Sequence, residues 1–136
     1  MMMRNLVVCC LFGLLVSGLV GCGEALKPAA PIGDLAVLEQ LAEAYRQTSE
    51  QVPVQPRGLR PEARKQFVQQ VFAAAGYDYG ATLAALAQGV DAANQQHRDL
   101  AELLLLPVSG LADEAAAELY SSSEWQAVQH IRKVLR

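Results

Sequence analysis

Cys22 carries the most distinctive chemistry in this chain. It stands between Gly21 and Gly23, at the end of an apolar run over residues 6–20. A thiol is a strong nucleophile once deprotonated. Cys9 and Cys10 lie inside the run and no cysteine follows Cys22, so residues 23–136 cannot use thiol catalysis, cysteine metal sites or disulfides.

The remaining groups are sparse. His97 and His130 lack metal-ligand spacing and read as ordinary surface or boundary histidines. Asp99 and Glu102 lie one helical turn apart, and Asp113 and Glu114 are adjacent. Paired carboxylates do acid–base work only where a pocket separates their pKa values, and Asp113 and Glu114 begin a helix, where negative charge is favoured anyway. No nucleophile elbow, phosphate loop or dinucleotide fingerprint occurs, so no cofactor, metal or catalytic residue is expected.

Three further features stand out. Arg57, Arg60, Arg64 and Lys65 cluster at the expected start of a helix, where positive charge opposes the helix dipole. The cluster is either a solvated loop balanced by acids such as Glu62, or a binding patch for headgroups or an acidic partner. Tyr77 and Tyr79 flank a turn; at least one is expected in the core, and the pair could otherwise serve recognition. Leu103, Leu104, Leu105 and Leu106 cover every side of a helical turn, which is either the centre of the core or a partner interface.

The segment Leu19-Val20-Gly21-Cys22 resembles the lipobox of bacterial lipoproteins. It follows Arg4, the apolar run, and the small residues Ser17 and Gly18, in the order of a secretory signal. The resemblance implies cleavage between Gly21 and Cys22, a diacylglyceryl thioether on Cys22, and acylation, as by palmitate, of the new amino terminus. A single acyl chain holds a membrane marginally and two or more hold it stably, at about 0.8 kcal/mol per buried CH₂. The run over residues 6–20 is shorter than the roughly 20 residues of a membrane span, which favours a cleaved signal. Gly23, in place of the aspartate that marks inner-membrane retention in enteric bacteria, implies the outer membrane, facing the periplasm, for a source with two membranes.

The expected organisation is a signal peptide over residues 1–21, a lipidated cysteine and tether over 22–33, and a helical domain over 34–136. Pro28 and Pro31 mark the tether, which spans roughly 30 Å if extended. Asp34 suits a helix N-cap, and Leu38, Leu41, Tyr45, Thr48 and Val52 recur in helical step through residues 34–51. Pro53 and Pro56 end that helix, and Pro61 suits the first turn of the next. Phe67, Val68, Val71, Phe72 and Ala75 form the second helix's apolar stripe, and Gly76 suits its left-handed close.

Asp78 caps a third helix carrying Leu83, Leu86, Ala87 and Val90, with Gly89 as a break. A fourth helix spans residues 91–106, with Ala93, His97, Leu100 and Leu104 on one face. Asp113 caps a short fifth helix carrying Ala116, Leu119 and Tyr120. A capping box of Ser121 with Glu124, or Ser123 with Gln126, opens the last helix, lined by Trp125, Val128, Ile131 and Leu135. No strand alternation or repeat occurs, so the fold class is all-α, a small bundle of five or six short helices.

Net charge is −3, and loss of Arg4 with the signal leaves 10 basic against 14 acidic side chains, which argues against nucleic acid as a partner. The reading that joins these features is a membrane-anchored, non-enzymatic helical adaptor or assembly subunit of the cell envelope. Its partners would be the membrane, through the lipid, and an envelope protein or a second copy. The alternative is a lipid- or cell-wall-ligand binding protein or enzyme using Arg57, Arg60, Arg64, Lys65, Tyr77 and Tyr79.

Overall fold

The computed structural model describes residues 27–52 and 55–136. The expectations for residues 1–26, including the lipobox and Cys22, lie outside the described residues, as does the side chain of Arg57. The described chain is all-α, with six α-helices and two single 3-10 turns. They are α1 (Leu35–Ser49), a turn at Pro56–Gly58, α2 (Pro61–Ala74), α3 (Tyr79–Gly89), α4 (Gln95–Leu104), a turn at Leu106–Val108, α5 (Asp113–Ala117) and α6 (Ser122–Leu135). Among the described residues there is no strand, and no helix is long and apolar enough to cross a membrane.

Local chemistry sets most helix ends. Asp34 Oδ1 accepts from the Ala36 N–H at 2.9 Å and starts α1. Pro61 stands in the first turn of α2. Gly76 closes that helix at φ +95°, with the Tyr77 N–H donating to the Phe72 carbonyl and the Gly76 N–H to that of Ala73. Asp78 caps α3 by accepting from the Ala81 N–H at 2.7 Å. Ser121 and Glu124 exchange both capping-box hydrogen bonds at the start of α6.

Several boundaries differ from expectation. α4 starts at Gln95 rather than residue 91, with Asn94 as its cap, and ends at Leu104 rather than 106. Asp91 Oδ1 takes the Ala93 N–H and His97 Nδ1 takes the Asp91 N–H, so these donors close a turn before the helix. At the other end, Pro107 sits in the 3-10 turn after α4. α5 has Ala112, not Asp113, at its cap position. The Asp113 carboxylate instead meets Arg132 Nη1 at 3.2 Å.

The core joins faces from all the long helices. Leu41 of α1, Val68, Val71 and Phe72 of α2, Leu83 and Leu86 of α3, Leu100 and Leu104 of α4, and Val128 and Ile131 of α6 are all closed to solvent. Phe72 meets Tyr79 edge-to-face at 5.8 Å, an arrangement that ring quadrupoles favour.

Residues 28–33, expected from their prolines to belong to a tether, pack on the folded body. From residue 28 the chain is a strap across α3: the Pro28 carbonyl accepts from the Asp78 N–H at 2.8 Å. The buried Ala30 N–H donates to Thr82 Oγ1 at 2.9 Å, and that hydroxyl donates to the Asp78 carbonyl. Ile32 packs on the core, and Gly33, at φ +83°, turns the strap into α1 beside His97. Prolines exclude helix but not docking, and Ala30 finds a buried seat that composition does not reveal. Thr82→Val keeps the shape of this site and leaves the Ala30 N–H without an acceptor. The expected loss is about 1–3 kcal/mol of unfolding free energy, read by urea denaturation.

Candidate functional site

Among the described residues, the side chains singled out for ligand chemistry do not all share one site, although Tyr77 and Tyr79 line one cleft with Glu124. Arg60 is exposed, whereas Arg64 is buried at the start of α2 and donates from Nη1 to the Ser109 carbonyl at 3.4 Å. Lys65 turns toward α6: its ammonium donates to the Leu119 carbonyl at 2.5 Å, lies 3.6 Å from Glu124 Oε1, and sits 4.5 Å over the Tyr120 ring. Cation and ring attract in that geometry. Tyr77 is half-buried, and its hydroxyl donates to Gln40 Oε1 at 3.2 Å.

Tyr79 is the core member of the tyrosine pair. Its hydroxyl donates to the Leu104 carbonyl at 2.6 Å and lies 2.8 Å from the Tyr120 hydroxyl. A carbonyl only accepts, so Tyr79 spends its proton there and Tyr120 donates to Tyr79. Burial pushes Tyr79 far above the ordinary phenol range, and a Tyr120 anion beside it would raise it further. Burial raises Tyr120 as well, outweighing the hydrogen bond with Tyr79. Two neutral phenols with committed protons tie α3, α4 and the chain before α6 together. Lys65 and Glu124 complete this cluster from α2 and α6.

The leucine run divides. Leu104 and Leu106 are buried, and Leu103 and Leu105 reach partly to the surface. Leu105 lines a cleft with Arg98, Arg132 and Leu135. Leu103 lines a different feature, an apolar groove of about 390 Å³ between α1 and α4.

This groove follows from how α1 is rotated. The expected stripe placed Leu38, Leu41, Tyr45, Thr48 and Val52 on the buried side. The residues actually buried are Val37, Leu41, Ala44 and Thr48, on the side packed against α2. Small Ala44 permits close packing there and leaves Leu38 and Tyr45 at the boundary. Leu35, Leu38, Ala42 and Tyr45 form a second stripe, spaced three, four and three, along the groove. Leu41 lies at its base, and Leu103 of α4 forms its other wall. Leu35 is 57 % exposed and is the exposed large apolar side chain among the described residues. Exposed Glu39 and Asp99 are the groove's charged residues.

Sequence reasoning singled out Leu103 but not Leu35, Glu39 or Tyr120 as site residues. The second stripe of α1 was present as a pattern; only packing shows which stripe meets α2. Among the described residues, no group of three histidine, cysteine or acidic side chains is placed to hold a metal ion. No protein-family model, curated protein or solved structure matches this chain.

Proposed function

We propose that this protein is a lipid-anchored, non-enzymatic helical adaptor of the bacterial cell envelope. The observation that carries the reading is the α1–α4 groove, an apolar surface with Leu35 open to solvent on a small domain. Apolar surface left open and rimmed by polar residues is characteristic of interaction sites. The lipobox-like segment at Leu19, Val20, Gly21 and Cys22 supports membrane anchoring. The outer membrane is the proposed location for a source with two membranes.

The strap bears on how such an anchor holds the domain. With Pro28 already bonded to α3, at most about 20 Å of extended chain joins Cys22 to the folded body. The domain would therefore work close to the bilayer, in reach of membrane-bound partners.

Cys22→Ser tests the anchor. It removes the thiol that accepts lipid, and the protein is expected to leave the membrane fraction for the soluble fraction, read by fractionation of intact cells. Retention of the variant in membranes would refute lipid anchoring through Cys22. The adaptor role is tested by crosslinking the tagged wild type in intact cells. A recurrent envelope protein is the expected product, and failure to recover one at native abundance counts against the role.

A further inference from the structure

We propose that the α1–α4 groove receives an amphipathic helix of a partner protein, with an apolar ridge flanked by lysine or arginine. This inference rests on the adaptor reading and names the partner's chemistry. The groove runs along α1 from Leu35 to Tyr45, about 15 Å at 1.5 Å per residue. Apolar side chains at i, i+3 or i+4, and i+7 of an incoming helix span about 10 Å and fit within that length. The groove is open along one side, with Leu103 as the opposing wall, a shape suited to a ridge of side chains.

Charge selects among occupants. Glu39 and Asp99 are both acidic, and neither forms an ion pair among the described residues. Asp99 accepts only from Gln95 Nε2 at 2.8 Å, a neutral donor. The Tyr45 hydroxyl, at the far end of the groove, has no hydrogen-bond partner among the described residues. A basic flank on the partner would answer both carboxylates. Two copies meeting groove to groove would bring their Glu39 and Asp99 side chains into like-charge opposition, and anionic headgroups would be repelled in the same way.

The test places a photoreactive amino acid at position 38 or 103 of the full, lipidated chain in intact cells and identifies the adduct by mass spectrometry. The expected adduct is a segment of another envelope protein with helical apolar spacing and flanking lysine or arginine. Two variants then interrogate the contact. Leu35→Ser and the pair Glu39→Lys with Asp99→Lys change exposed side chains, and each is expected to lower the adduct yield roughly tenfold. Unchanged circular dichroism confirms that the variants remain folded. Replacing the partner's basic flank with glutamate is expected to restore the yield with the lysine pair.

Adducts confined to lipid, to a second copy of this chain or to a segment without a basic flank overturn the proposal. So do an absence of adduct and a yield indifferent to the charge reversal. The adaptor reading has its own readout: a photoreactive residue at position 105, on the neighbouring cleft, still captures a partner if the adaptor uses a different face.

Discussion

Leu104→Asp is expected to abolish the folded state, whereas Leu103→Asp leaves the domain folded and removes its groove contact. Leu104 is fully enclosed, with its own carbonyl held by Tyr79. Shortening an enclosed leucine to alanine costs about 2–5 kcal/mol through lost burial and an unfilled cavity. Aspartate loses the same apolar contact and adds a carboxylate where water cannot solvate it. Domain stabilities are about 5–15 kcal/mol, so the combined loss is comparable to the whole. Leu103, one position earlier, lines the groove and reaches partly to the surface, so a carboxylate there keeps water on its open side. Circular dichroism melts of the two variants check this directly. A cooperative, wild-type-like melt for Leu104→Asp would refute its place in the core.

The second large effect is alkaline unfolding through the buried phenols. A free tyrosine releases its proton near pH 10. Burial raises both Tyr79 and Tyr120 above that value, so past about pH 10 the unfolded chain has shed protons the folded chain still holds. The stability held by these neutral phenols is fully present below the unfolded value and is lost as pH rises toward the folded values. The slope approaches about 1.4 kcal/mol per pH unit for each tyrosine. Urea unfolding at about pH 8, 10 and 11 is expected to show the decline, with tyrosinate absorbance rising as the chain unfolds. Tyr79→Phe removes one titrating group, so the decline becomes shallower. At neutral pH the same variant costs about 1–3 kcal/mol, because the Leu104 carbonyl loses its donor and the Tyr120 hydroxyl its acceptor. An alkaline slope identical in wild type and Tyr79→Phe would contradict the role of this phenol.

The groove that Leu103 lines originates in the rotation of α1. Had Leu38 and Tyr45 been central to its buried face, little apolar surface would remain between α1 and α4. The face built on Val37, Leu41, Ala44 and Thr48 instead leaves a stripe of larger side chains at the boundary. Tyr45 is partly accommodated by an edge-to-face contact with Phe67 at 5.2 Å, yet still lines the groove.

Short-range chemistry was legible in the residues themselves. Asp34, Asp78 and the Ser121–Glu124 pair mark helix starts because each satisfies backbone donors within a few residues, whatever the rest of the chain does. Gly76 and Pro61 act through their own backbone geometry in the same way. The helical period of the apolar residues sufficed for the all-α class. Asp91 escaped because it had two competing local uses, a turn and a helix start, and Asp113 because its carboxylate pairs with Arg132, 19 positions away.

Tertiary structure alone decided what the chemistry-bearing residues do. Arg64 and Lys65 look like part of a surface cluster in one dimension, but α2 turns them toward Ser109 and Leu119, which lie 45 and 54 positions away in the chain. Tyr77 and Tyr79 are two residues apart and end in different environments because α3 begins between them. Thr82 receives the strap through a partner 52 positions distant. Capping and periodicity are local and survive reading along the chain. Burial, charge pairing and the choice between two adjacent apolar stripes depend on neighbours that only folding brings together.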